Sequence, residues 1–296
     1  MGAVTIDLEG SQGRLRELVG EPDLEVLAEG FVFVEGPAWH PGERHLTFND
    51  IPGDRMLRWD RVTGVSTVRA PNAMGNGNTY DARLRLLTCE HATSRLVRTE
   101  ADGRVTVLAD RYGGAELNSP NDVIVDSAGR VLFTDPAYGR TSSFVGVLRE
   151  PELSFRGVYA LEPDGALRCL TGEMESPNGL CLSPDERYLY VAETERHVLR
   201  RYRYQDGHLS DGEVWAHLAG DEPEGPDGLR VDELGNVWCA GPGGLQAFSP
   251  DGFLLGRIRM PEVVANLTWG DDDRRTLFVC ATTSVYALRT RVAGCR

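Results

Sequence analysis

Six segments of the chain share one pattern: a polar residue, a short alternating strand, a tight turn rich in Asp, Gly or Arg, and a second strand. They read "EGPAWHPGERHLTFND" from Glu35, "NGNTYDARLRLLTCEH" from Asn76, "NDVIVDSAGRVLFTD" from Asn121, "NGLCLSPDERYLYVAET" from Asn178, "DGLRVDELGNVWCAG" from Asp227 and "NLTWGDDDRRTLFVCATT" from Asn266. The openings lie 41, 45, 57, 49 and 39 residues apart, the period of a four-stranded propeller blade. Three of them, "SPNDV", "SPNGL" and "GPDGL", also carry the Pro, Asn, Asp and Gly of a turn leading into a strand.

The outer halves of the blades agree. "WDRVTGVSTV", "TEADGRVTVL", "LEPDGALRCL", "YQDGHLSDGEVW" and "FSPDGFLLGRI" each place a hairpin turn between two β-prone runs. After the sixth opening only "SVYALRT" precedes the end, so one outer strand is missing. A donor lies near the start of the chain, "DLEVLAEG" from Asp23 to Gly30. Pairing it with the last blade closes the ring and removes an exposed edge. Helix periodicity is almost absent, "GRLRELV" being the one weak candidate. The expected fold is all-β, a six-bladed β-propeller over residues 23–290, with an extension at 1–22 and a tail at 291–296.

Composition narrows the partners. A chain of 296 residues with 41% hydrophobic side chains can bury an ordinary core. Its 31 basic and 45 acidic residues leave a net charge of −14, which repels nucleic acid and anionic membranes. The start, "MGAVTIDLEGSQGRLRELVGEPD", has no basic stretch before an apolar core, so no signal peptide is expected. No apolar run approaches membrane-spanning length. Cys89, Cys169, Cys181, Cys239, Cys280 and Cys295 show no metal-ligand spacing, and several sit in apolar runs such as "LFVCA". A reduced, cytoplasmic protein acting on a small molecule is the expectation; oligomeric state stays open.

In a propeller the innermost strand of each blade begins beside the central channel. The first motif position therefore rings Glu35, Asn76, Asn121, Asn178, Asp227 and Asn266 about one axis, each a hard oxygen donor. Such a ring is costly to hold without a cation or a dense hydrogen-bond network. Oxygen-only donors select Ca²⁺, Mg²⁺ or Mn²⁺, and the charges of Glu35 and Asp227 balance a divalent ion. Turn chemistry alone accounts equally well for Asn76 and Asn266. It does not account for Glu35, which makes poor turns of that kind.

Two further features face the same rim. Residues 136–157, "PAYGRTSSFVGVLREPELSFRG", form the longest insertion and follow a strand ending on that rim. They are expected to cover the site, a tolerated surface loop being the alternative. Among the scattered His residues, His91 alone takes a rim position, matching Asp135 in the next repeat. No GxSxG, HExxH or phosphate loop competes with the ring.

These motifs, with "FNDIPGDRMLRWD", "LNSPNDVIVDSAGRVLFTDPAYG" and "EVVANLTW", resemble the SMP-30/gluconolactonase/luciferin-regenerating-enzyme family, its bacterial gluconolactonase branch most closely. The likeness runs from about Glu35 to the last strand, through all six repeats. It implies a six-bladed propeller holding one divalent metal ion, Ca²⁺ first with Mg²⁺, Mn²⁺ or Zn²⁺ as alternatives, and hydrolysis of a lactone such as gluconolactone. The family's ligand positions fall on Glu35, Asn178 and Asp227, with Asn121 as a further ligand or substrate contact. Asn121, Asn76, His91, Asn266 and Tyr138 are the candidate substrate contacts. Asp227 is the candidate base, the alternative being water delivered as metal-bound hydroxide. Animal members carry an Arg two places before the position of Asn121, where this chain has Ser119. The family also includes organophosphate hydrolases, so a phosphotriesterase is the second reading and a non-catalytic binding propeller the third.

Overall fold

The structure, a computed structural model, describes residues 4–5, 8–9, 13–20 and 23–295. Six antiparallel sheets stand around an axis, one for each repeat. Blade 1 runs Val34–His40, His45–Asp50, Arg55–Asp60 and Gly64–Arg69 from axis to rim. The inner strands of blades 2 to 6 are Gly75–Tyr80, Val123–Val125, Pro177–Leu182, Leu229–Val231 and Val264–Gly270. Each touches its neighbour, and Val264–Gly270 returns to Val34–His40 to complete the circle. Second strands such as His45–Asp50 and Thr276–Ala281 are buried throughout, because both faces pack against adjoining blades. Rim strands such as Gly64–Arg69 are largely exposed.

Closure occurs as the sequence requires. Asp23–Glu29 pairs antiparallel with Ser284–Arg289, with Leu24 opposite Leu288. Other parts of the chain ends also join the sheets. Val4–Thr5 pairs with the outside of this closing strand, and Leu8–Glu9 adds to Leu254–Arg259 of blade 5. The weak helical pattern becomes a helix at Arg14–Val19, which buries Leu15 and Val19 between blades 5 and 6. Much of the 1–22 extension (1–3, 6–7, 10–12 and 21–22) lies outside the described residues, as does Arg296. At the other end Val292 and Ala293 are buried, and Gly294 bridges to Asp232. No helix among the described residues is long and apolar enough to cross a membrane.

The core is a set of wedges between blades. Trp39 stacks on Phe278 at 5.1 Å between blades 1 and 6, and Trp238 meets Trp269 edge-on at 5.6 Å between blades 5 and 6. Similar apolar clusters fill the wedges between blades 2 and 3, 3 and 4, and 4 and 5. Each fully buried Leu, Val or Phe contributes on the order of 1.5–3 kcal/mol.

The seam between blades 1 and 2 is built differently. Tyr80 lies 2.8 Å from Thr47 and 3.1 Å from His45, oxygen to hydroxyl and oxygen to Nε2. Thr88 donates to Asn78 at 2.8 Å, Asn78 to the Gly36 carbonyl at 2.7 Å, and Asn72 to Asn49 at 2.7 Å. Asn49 in turn donates to the Asn76 carbonyl at 2.5 Å. Buried polar groups are tolerated where most of them find partners, as here, although Asn72 Oδ1 and His45 Nδ1 have none.

Candidate metal centre

The inner strands lose regular register where the ring residues sit. Pairing with the second strand shifts between Glu35 and Ala38, Gly75 and Asn78, Pro177 and Leu180, and Val264 and Asn266. Such bulges re-aim a side chain that would otherwise alternate into a blade face. The residue after the ring position is Gly in four blades, and close packing around the axis explains it. A Cβ on Gly36 would lie 1.9 Å from the Asn76 carbonyl, and one on Gly228 would lie 2.1 Å from Asn266 Oδ1.

A second set of residues fixes the approach to the ring. Asp135 accepts from the Asn118 and Ser119 amides at 2.9 and 2.8 Å, just before Asn121. Asp50 does the same for Val32 and Phe33 at 3.1 Å, and Glu193 accepts from Glu175 at 3.2 Å. These carboxylates end the second strands of blades 1, 3 and 4. They did not figure among the expected site residues, yet the endings "FND", "FTD" and "VAE" repeat the signal in the sequence.

Five of the six expected ring residues fall into two hydrogen-bonded groups, and Asp227 lies beside Asn178. Asn266 Nδ2 donates to Glu35 Oε2 at 3.0 Å, while its Oδ1 caps the Leu267 amide at 2.8 Å. Asn76 Nδ2 donates to Asn121 Oδ1 at 2.5 Å, and Asn121 Nδ2 donates to Asn178 Oδ1 at 2.9 Å. Asn178 Nδ2 donates to Thr194 Oγ1 at 3.1 Å, and Thr194 to the Pro226 carbonyl at 2.8 Å. Five ring members are buried; Asp227 alone retains surface open to solvent, although its carboxyl lies deep among protein atoms.

Charge is concentrated here. Burial pushes the Glu35 carboxyl up to about 7, and burial, then Glu35, then Asp122 hold Asp227 well above the usual carboxylate range. Asp122, beside Asn121, is itself paired with Arg230 at 3.1 Å. Among the described residues neither Glu35 nor Asp227 forms an ion pair, and Arg230, paired with Asp122, acts on Glu35 only at longer range. Such a pair is stabilised by protons or by a cation.

The insertion covers the ring. Its helix Tyr138–Thr141 carries Tyr138, whose buried hydroxyl lies beside Thr194, Ser176 and Asp227 without a well-aligned hydrogen bond to any of them. Burial, chiefly, pushes that phenol up to about 12. Farther along, Phe144 packs at 6.1 Å from Phe33 of blade 1, and the Val145 carbonyl lies 2.9 Å from His91 Nδ1. His91 Nε2 sits 3.1 Å from Asn76 Nδ2, and burial pushes the ring down to about 4, so it is neutral at pH 7.

The residues fit a hard divalent ion. Asn76 Oδ1 is buried with no partner, and Asn121 Oδ1 and Asn178 Oδ1 each accept one ring hydrogen bond. A carbonyl oxygen has two lone pairs, so all three retain acceptor capacity beside two carboxylates without an ion-pair partner among the described residues. Among the described residues no three His, Cys, Asp or Glu side chains group as metal ligands, and the donors here are carboxylate and carboxamide oxygens.

Known proteins share this architecture. Residues 33–283 match the family described as the SMP-30/Gluconolactonase/LRE-like region. A gluconolactonase of Zymomonas mobilis is 31% identical over 92% of this chain and 82% of its own length. A pentonolactonase of Haloferax volcanii is 31% identical over 83% of this chain and 80% of its own length. The solved structure of a gluconolactonase from Xanthomonas campestris superposes with a TM-score of 0.91 at 35% identity, covering 98% of both chains. On repeat, ring and fold alike, the chain belongs to the SMP-30/gluconolactonase/LRE-like family.

Proposed function

We propose that this protein is a divalent-metal-dependent lactonase acting on a sugar lactone, gluconolactone being the first candidate. The observation that carries the reading is the pair Glu35, buried, and Asp227, partly open to solvent, two carboxylates without an ion-pair partner among the described residues, set in a ring of carboxamides. The two lactonases and the gluconolactonase structure among its relatives support the choice of substrate class. Glu35, Asn178 and Asp227, with Asn121, would hold the ion, for which Ca²⁺ fits the all-oxygen donors. When bound, it supplies Lewis-acid stabilisation of negative charge on the lactone carbonyl oxygen.

The chain's own residues do the rest. Asp227, the ring member open to solvent, takes a proton from water as the water oxygen bonds to the carbonyl carbon. The ring C–O bond then breaks and that proton passes to the leaving oxygen, so lactone and water give one hydroxy acid. Asn76 Oδ1 and the Tyr138 hydroxyl, both without protein partners, orient substrate hydroxyls. Asn266 holds Glu35, and the insertion keeps bulk water from the reacting carbonyl.

A panel of aldonolactones, simple aliphatic lactones and phosphotriesters tests the reading on chelated and cation-reloaded protein. Aldonolactones should be cleaved fastest, with activity lost on chelation and restored by one divalent ion. A phosphotriester hydrolysed faster than every lactone would instead support the second reading, and turnover unaffected by chelation would remove the metal.

The pKa shifts give the pH dependence its sign. Without a cation, burial raises Glu35 to about 7 and holds Asp227 above the usual carboxylate range, so the protonated forms are favoured there. A bound cation needs them ionised, so binding releases protons. Apparent cation affinity should strengthen as pH rises through about 7, where Glu35 loses its proton, by up to about tenfold per pH unit for each proton released. Calorimetry in buffers of different ionisation enthalpy reads the proton count directly. A count of zero at pH 6.5, or about that value, would refute the protonated description.

A further inference from the structure

The hydrogen bonds around half of the ring form a single chain whose two ends are both backbone carbonyls. At one end is the Val145 carbonyl of the insertion, 2.9 Å from His91 Nδ1; at the other is the Pro226 carbonyl, 2.8 Å from Thr194 Oγ1. A carbonyl only accepts, so His91 Nδ1 carries the hydrogen, and the Thr194 hydroxyl donates outward. The neutral imidazole then offers Nε2 as a bare acceptor, and the threonine oxygen likewise accepts from inside the chain.

Between these ends lie three carboxamides, and the fixed ends leave them one arrangement. Asn178 turns its amide nitrogen to Thr194, Asn121 its nitrogen to Asn178, and Asn76 its nitrogen to Asn121. Asn76 must also donate to His91 Nε2, at 3.1 Å, so both of its amide hydrogens are used. With two accepting ends, one member has to donate both ways, and its oxygen is left over. Asn76 is that member, and its Oδ1 is the buried atom without a partner. Flipping any one amide would set donor against donor or acceptor against acceptor at two contacts.

We propose that His91 and Thr194 are positioning residues, the carbonyl-anchored ends of a directional chain that frees the Asn76, Asn121 and Asn178 oxygens for ligand. His91 acts on the ring through Asn76, and the insertion sets its tautomer through Val145. One end of the chain therefore belongs to the cover and the other to the turn that carries Asp227.

Substitutions at the two ends separate positioning from packing. His91→Gln can place an amide oxygen where Nε2 stood and keep the acceptor for Asn76. His91→Asn can keep a donor near Nδ1 for Val145 but leaves the Asn76 amide hydrogen that faced Nε2 unpaired. Thr194→Ser keeps the hydroxyl, and Thr194→Val keeps the shape without it. Titration with Ca²⁺ alone, followed by calorimetry, should show His91→Asn and Thr194→Val weakened ~10–100-fold, as losses of outer-shell partners to metal ligands usually are. His91→Gln and Thr194→Ser should stay within about threefold of the parent, less than the loss of one net hydrogen bond. Equal weakening of both His91 variants, or Thr194→Val binding like Thr194→Ser, would overturn the proposal. The cation part rests on the metal reading above, and a parent protein that binds no Ca²⁺ would sink that reading separately. The chain is then judged in metal-free protein by ¹⁵N NMR of labelled histidine. A protonated Nδ1 with a bare Nε2 supports it; the opposite tautomer overturns it.

Discussion

Asp227→Asn should lower turnover ~10²–10⁴-fold at saturating cation, the usual cost of losing a general base. The substitution keeps the shape and one oxygen donor of Asp227 while removing a negative charge and the proton acceptor. Weaker cation binding will accompany it, because Glu35 is then the one carboxylate in the ring. Saturation removes that component and leaves the chemistry. Asn178→Ala is the comparison: it deletes a proposed ligand and the donor to Thr194 but leaves both carboxylates. Excess cation should restore it to within about tenfold of the parent, the gap being a matter of occupancy rather than proton transfer. Full rescue of Asp227→Asn by excess cation would assign the proton to another acceptor and reduce Asp227 to a ligand.

Truncating residues 1–30 should abolish the cooperative fold. The loss includes Asp23–Glu29, which pairs with Ser284–Arg289 and carries the fully buried Leu24. It also includes the helix whose Leu15 and Val19 pack between blades 5 and 6. What remains is a ring with an open, unpaired strand edge, which invites pairing with other chains. Aggregation, or a melting temperature far below that of the full chain, is the expected result. A milder change grades the effect: Leu24→Ala should cost about 2–5 kcal/mol as a core truncation, measured by denaturant unfolding. A truncated protein that melts with the parent would show that the ring closes without its first strand.

Why could the ring be read from the sequence when much of its support could not? Glu35, Asn76, Asn121, Asn178, Asp227 and Asn266 hold one position in a sixfold repeat, and a repeat converts sequence spacing into rotation about an axis. The closing strand was legible for the same reason, since five outer hairpins cannot serve six blades. Pro226 repeats in the sequence, but its carbonyl's link to Thr194 does not, and Val145 follows no period. They reach the ring because a turn and an insertion happen to end beside it, and only tertiary structure records that. Asp50, Asp135 and Glu193 stand between the two cases. They recur at the same strand end, but a carboxylate there reads equally well as a solvated terminus until the amides before it are seen to point at it. The pairing of Asp122 with Arg230 joins blades 3 and 5, and no local pattern could have announced it.

The contrast between the seams bears on how this protein can change over time. In the wedges around Trp238 or Phe278, one apolar side chain can drift to another of similar volume, because dispersion contacts are graded and neighbours readjust. Blades 1 and 2 enjoy no such latitude. There Asn72 orients Asn49 and Thr88 orients Asn78, and a single apolar replacement strands a buried donor or acceptor at about 1–3 kcal/mol. Escape requires two or more compensating replacements at once, each harmful alone. Lineages descending from this sequence should therefore diversify freely at five wedges and keep the first seam nearly unaltered, so that comparing its descendants would show one frozen spoke in an otherwise varying wheel.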